Sequence, residues 1–383
     1  MVQALSGLKV LDLSMNLPGP YMTWLLAMLG AEIVKIENPV GGDYARALGS
    51  GGQESPYFAA VNRNKKSVSL NLKHPEGKRI FLDLLDHYDT LVEGFRPGTM
   101  ERLGLGYSDT SARNPRLIHV SITGYGHNGP NRLRAGHDLN YLSLAGIIGM
   151  TGTRDGQPVV PGVQIADLAG GALFGLVGLL AAVIQRERTG RGQFVDTAMF
   201  DGSLSLATMV FAGVGTGMET PLPGKMLLNG RFPCYGLYRT SDGQYMSLGA
   251  IEPKFWVNFC QAAGRPDLLN GQYAGENVVS EVAALFASRT REEWLEILKD
   301  ADACCEPVLT LNEAVESPLV RARNMVNTSP QGHPVLACPL KLSESPVPED
   351  CPAPDLGQNN QEILGKLGLQ EKDLLELRSK GVI

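Results

Sequence analysis

The first 123 residues alternate short apolar runs with helical segments, and this alternation restricts the fold more than any other feature of the chain. Residues 8–13 form an apolar run after Gly7. Residues 21–29, preceded by Pro18-Gly19-Pro20 and closed by Gly30, read as a helix, and residues 32–37 return as a strand. The pattern repeats with a strand over 67–72, an amphipathic helix over 75–87 opened by Pro75, and strands over 90–93 and 116–122. Alternating β and α elements of this length predict an α/β fold with a parallel, Rossmann-like sheet. The first turn, Asn16-Leu17-Pro18-Gly19-Pro20, carries no GxGxxG fingerprint, and there is no Walker-type loop. Residues 190–199 read as a turn and then a strand, the last of that sheet.

Around Pro221, Pro223 and Gly224 the composition shifts to a linker. Beyond it, residues 235–240 and 244–249 flank the turn Ser241-Asp242-Gly243 as a hairpin. Helices over 253–263, 281–287 and 291–299 complete a smaller α+β unit. A further helix is expected over 311–326 and short terminal ones over 361–367 and 371–379.

Composition narrows the function classes. Apolar residues at 43% and charged residues at 19% mark a well-packed globular protein. The net charge of −6 argues against a nucleic-acid-binding surface, although a local basic cluster can still hold a small anion. The six cysteines form no CxxC pair and read as reduced, structural thiols. No signal peptide is evident at the N-terminus. The apolar run 168–184 is shorter than a membrane span requires and is broken by four glycines, so a buried core helix is expected. These features together describe a soluble, cytoplasmic protein.

Two ionisable residues stand out. Asp167 heads that apolar run, where a carboxyl is costly unless capped or used. It is either a helix N-cap or a first-turn carboxylate that satisfies free N–H groups, or it acts chemically, with Ala166, Ala169, Gly170 and Gly171 letting a ligand or another backbone approach. In the second case nearby backbone N–H groups would serve a developing oxyanion. Of the six histidines, His137 and the weaker candidate His127 lie in glycine-rich turns after the last strand of the repeating pattern, the edge where such sheets bind ligands. His137 and Asp167 together suggest acid/base chemistry on carbon. Asp138 would cap a helix over 139–148. A basic set, Arg63, Lys65, Lys66, Arg96 and Arg102, reads either as solvated surface charge or as a polyphosphate site.

These residues carry a family resemblance. The segments 17–20, 29–37, Gly42-Asp43, 62–67, 93–98, 102–106 and 190–196 together resemble the class III CoA-transferase superfamily (CaiB/BaiF type), over nearly the whole chain. Gly136-His137-Asp138-Leu139-Asn140-Tyr141 is most similar to the α-methylacyl-CoA racemases, whose histidine works with an aspartate thirty residues on. In the transferases of the family the aspartate is kept as nucleophile and the histidine is usually missing. The racemase resemblance extends to Gly249-Ala250-Ile251-Glu252, where the glutamate orients the histidine. Asn38 departs from it, at a position where many relatives carry an arginine implicated in CoA binding.

The resemblance implies an interlocked homodimer. Residues 1–200 and 328–383 would form the large Rossmann-like domain and 225–305 the small one, with linkers at 201–224 and 306–327. It also implies an acyl-CoA substrate held by Arg46, Lys65, Arg96, Arg102, Gly136 and Tyr141, with His137, Asp167 and Glu252 catalytic. Coenzyme A would enter as part of the substrate, with no metal or separate cofactor. Racemisation of 2-methylacyl-CoA is the activity so implied. CoA transfer through an Asp167 anhydride, or acyl-CoA binding without catalysis, are the alternatives.

Overall fold

A computed structural model of the chain describes residues 2–49 and 55–383. The parallel sheet has six strands: β1 (Lys9–Asp12), β2 (Glu32–Glu37), β3 (Lys66–Ser69), β4 (Thr90–Glu93), β5 (Ile118–Thr123) and β6 (Phe194–Ala198). Their order is β3-β2-β1-β4-β5-β6, and every pairing is parallel. The order reverses between β1 and β4. Loops leaving the carboxyl ends of those strands therefore diverge and open a crevice, where sheets of this kind bind ligands.

Period-two geometry divides the strand residues between two faces. Leu11 and Leu13, Val34 and Ile36, and Val68 and Leu70 share one core with Ile80, Phe81 and Leu84 of helix Pro75–Leu85. The C-terminal helices Asn360–Gly365 and Asn-free Glu371–Ser379 add Ile363, Leu364, Leu374 and Leu377 to that core. Ile122 of β5 instead meets Gly171 and Gly175 of the long apolar helix. Burial on both sides explains why these strands read as nearly continuous apolar runs.

The chain forms two compact units. The larger takes the described residues up to Ala145, with Gly162–Leu206 and Arg321–Ile383. The smaller takes Gly146–Pro161 and Ala207–Val320. In the smaller unit β7 (Tyr235–Arg239), β8 (Tyr245–Gly249) and β9 (Cys305–Pro307) make an antiparallel sheet over a core of Trp256, Phe259, Phe286 and Trp294. The expected linkers carry structure of their own. Residues 201–224 hold most of helix Met199–Ser205 and all of Thr208–Gly215, and residues 306–327 begin inside β9. The helix expected over 311–326 is two, Leu311–Glu316 and Pro318–Ala322. Ser317 is extended, as the residue before a proline prefers. Helices Pro56–Asn62, Thr99–Leu103 and Tyr107–Arg113 have no counterpart in the sequence reading.

The apolar helix is longer than expected. It runs over Ala166–Thr189, 24 residues whose most apolar 18-residue stretch has a mean hydropathy of 2.0, and so is long and apolar enough to cross a membrane by length and composition. Its first eight residues, Ala166–Leu173, are π-helical. Its glycines seat it on its neighbours. A Cβ on Gly170 would stand 2.7 Å from the Met199 carbonyl oxygen, and one on Gly178 would meet Val195 of β6.

Candidate active site

A cavity of about 510 Å³ opens at the carboxyl ends of β1, β4 and β5. Ser14, Met15 and Asn16 line it after β1, Gly94 to Pro97 after β4, and Thr123, Gly124 and Tyr125 at β5. It therefore occupies the crevice where the strand order reverses. His137 and Asp167 both face it.

His137 is the N-cap residue of helix Asp138–Leu144 and donates its backbone N–H to Asn140 Oδ1 at 3.0 Å. The helix is thus shorter than the expected 139–148, and His137, not Asp138, stands at its cap. With its main chain held by Asn140, the exposed imidazole side chain stays directed to the cavity. Tyr141, one turn on, donates from its hydroxyl to the Gly136 carbonyl at 2.5 Å and stacks edge-on against Tyr125. Its ring fills the space where Cβ atoms on Gly124 or Gly136 would lie, 2.6 and 2.7 Å away. Gly136 and Tyr141 therefore lock the turn that presents His137.

Asp167 lies inside the first π-helical turn rather than at the cap, as the first-turn alternative has it. Its own N–H donates to Asp138 Oδ1 at 3.0 Å. Burial pushes the Asp167 carboxyl up to about 7, and the adjacent Asp138 carboxylate acts in the same direction. Both protonation states are then accessible near neutral pH. The expected oxyanion donors beside Asp167 are engaged, since Leu168 N–H donates to the Gln164 carbonyl and Asp167 N–H to Asp138. The small residues that follow serve helix packing: a Cβ on Gly202 would stand 2.1 Å from the Gly170 carbonyl oxygen.

The basic residues separate. Arg96 is exposed and lines the cavity. Arg102 is paired with Thr99 Oγ1 at 2.9 Å, outside the cavity lining. Arg46 is committed to Glu37, at 2.7 and 2.8 Å, with its guanidinium over the Phe58 ring. Lys65 is neither surface charge nor phosphate ligand. It is wholly buried, with Nζ donating to Asp12, Asn62 and the Pro20 carbonyl. Burial alone would raise the Asp12 pKa, but Lys65, Lys35 and hydrogen bonds from Ser14 and Thr23 hold it down at about 2. Arg63 is likewise buried, against Asp350. A phosphate would have to break these pairs to reach either side chain.

The weaker candidate His127 hydrogen-bonds Ser121 at 2.8 Å and lies outside the cavity lining. Glu252 belongs to the smaller unit, where it is exposed at the N-cap of helix Pro253–Ala262. Sequence reasoning passed over Asn16, Tyr44, Arg132 and Arg134, all on the cavity wall. The two arginines share the glycine-rich turn of His137, which was signal enough to mark them.

The sheet order and the cavity define a class of α/β enzyme-like proteins that bind their ligand at a strand-order reversal, and comparison with known proteins gives the family. The profile of CoA-transferase family III matches residues 5–360. The chain is 33% identical to α-methylacyl-CoA racemase of Homo sapiens, over 99% of this chain and 97% of that protein. It is also 33% identical to the succinyl-CoA–L-malate CoA-transferase β subunit of Chloroflexus aurantiacus, over 99% of this chain and 98% of that one. A crystal structure of a CaiB/BaiF family protein from Brucella suis superposes with a TM-score of 0.83 at 30% identity, covering 96% of this chain and 100% of the other. The chain belongs to CoA-transferase family III.

Proposed function

We propose that the protein racemises 2-methylacyl-CoA by 1,1-proton transfer at the α-carbon. The observation that carries this reading is a histidine and a carboxyl of near-neutral pKa facing one cavity. The thioester acidifies the α-carbon. One group removes the proton as a base, leaving an enolate, and the other returns a proton to the opposite face as an acid. His137 starts neutral and Asp167 protonated in one direction, and the charges are reversed in the other. Arg96 would meet a phosphate of CoA. This chemistry calls for no metal or redox group.

CoA transfer is the second reading, and the equal similarity to a transferase supports it. There Asp167 attacks the thioester carbonyl, forming a mixed anhydride and releasing CoA thiolate; the thiolate attacks the aspartyl carbonyl, giving an aspartyl-CoA thioester and freeing the donor carboxylate. The acceptor carboxylate then attacks that thioester, and the CoA thiolate it expels takes the acceptor acyl group from the second anhydride, regenerating Asp167. The two readings separate on products. One enantiomer of a 2-methylacyl-CoA, incubated with a free carboxylic acid, is expected to give the other enantiomer while CoA stays on its original acyl group. Appearance of the new acid's thioester with no inversion would establish the transferase instead.

We also propose a homodimer. Phe174, Val177 and Ile184 of the long helix and Leu204 beyond it are exposed apolar residues, and a second copy would cover them. Light scattering should give twice the chain mass, and a monomer at micromolar concentration would refute this.

A further inference from the structure

Arg96 is one of three arginines on the cavity wall; the others, Arg132 and Arg134, are exposed on the turn that leads into His137. Several other arginines of the larger unit are matched with carboxylates: Arg46 with Glu37, Arg113 with Asp83 and Asp86, Arg186 with Asp89. Among the described residues, none of the three cavity arginines has a carboxylate within salt-bridge distance. Among the described residues Asp167 is the one carboxylate side chain on that wall, so the cavity they line is cationic within a protein of net charge −6. Unmatched arginines facing a cavity suit an anionic ligand group and oppose a purely apolar acyl tail.

Their places along the chain divide the work. Arg96 follows β4, whereas Arg134 is three residues from His137, so their Cα atoms lie within about 11 Å even if the chain between them is fully extended. The Arg134 N–H closes a turn on the Asn131 carbonyl at 2.8 Å, which fixes the backbone from which both side chains project. A group bound here is close to the reacting carbon. The diphosphate of CoA, in contrast, is separated from that carbon by the whole pantetheine arm.

We propose that Arg132 and Arg134 form a subsite for a carboxylate carried by the acyl group, so that this cavity selects acyl-CoA thioesters of dicarboxylic acids. The proposal rests on the acyl-CoA reading above but holds for either reaction at Asp167.

Calorimetric titration with three unreactive probes tests it: CoA, S-butyl-CoA, and the S-butyl thioether ending in a carboxylate. The carboxylate probe is expected to bind about ten- to a hundredfold more tightly than S-butyl-CoA, the range of one or two charge-assisted hydrogen bonds. In Arg132→Gln and Arg134→Gln that preference should shrink toward unity while CoA affinity is retained. Equal binding of the two thioethers by the unsubstituted protein overturns the proposal. So does an equal loss for all three probes in the variants, which would assign these arginines to the CoA phosphates. If CoA itself does not bind, the acyl-CoA reading fails too, and the CoA titration separates that failure from the other two.

Discussion

Asp167 keeps its proton to about pH 7, and that has consequences at the scale of one residue. Removing the Asp138 carboxylate by Asp138→Asn takes away one of the two influences that raise it. The pH limb assigned to Asp167 in the rate profile is therefore expected to move to lower pH. Stability follows the same titration. The folded pKa is raised from 3.8 to about 7, so between those values the native state holds a proton that the unfolded chain has lost. Its contribution to stability is full below about pH 4 and declines as pH rises toward 7. Urea melts of Asp167→Asn should show a shallower loss of stability over that window, and an unchanged slope would contradict the assignment. His137 and Asp167 were legible in the sequence because a carboxyl at the head of an apolar run is conspicuous. Lys65 was not. Its partner Asp12 lies on another strand, 53 residues away, so a buried pair looked like part of a solvated basic run.

At the scale of elements, the strands and the order of helices were readable because both faces of the sheet are buried and its period is simple. The π-helical start of Ala166–Thr189 was not readable, because its backbone pattern depends on what it packs against. That packing is closest where Gly170 and Gly202 meet. Gly202→Ala would drive a Cβ to within 2.1 Å of a backbone oxygen, and backbone cannot swing aside as a side chain can. A loss of about 1–3 kcal/mol or more is expected in denaturant melts, with activity falling as Asp167 shifts. Gly365→Ala is the control. No atom stands within 4 Å of its added Cβ at the end of helix Asn360–Gly365, so stability should hold or rise slightly.

At the scale of the whole molecule, the chain divides into two compact units. Gly146–Pro161 goes with the smaller unit although nothing in its composition marks a change, and the expected linker 201–224 carries helix Thr208–Gly215 ahead of its proline-rich end. The larger unit is held partly by the buried charges beneath the cavity, and their role there is separable from ligand binding. Lys65→Met takes one of two lysines from the buried Asp12, leaving Lys35 and the Ser14 and Thr23 hydroxyls, and should cost about 3 kcal/mol by denaturant melt, with CoA affinity unchanged in the folded fraction. Arg96→Ala should do the reverse, weakening CoA binding with little change in stability.

The central claim is that His137 and Asp167 exchange a proton with the α-carbon from opposite faces. Proton NMR of a single 2-methylacyl-CoA enantiomer in heavy water tests it most directly. Deuterium should enter the α-position as the other enantiomer forms, and His137→Ala and Asp167→Asn should each slow racemisation by about 10²- to 10⁴-fold. An α-proton that persists unexchanged with active protein, while CoA moves to another acid, would contradict the account.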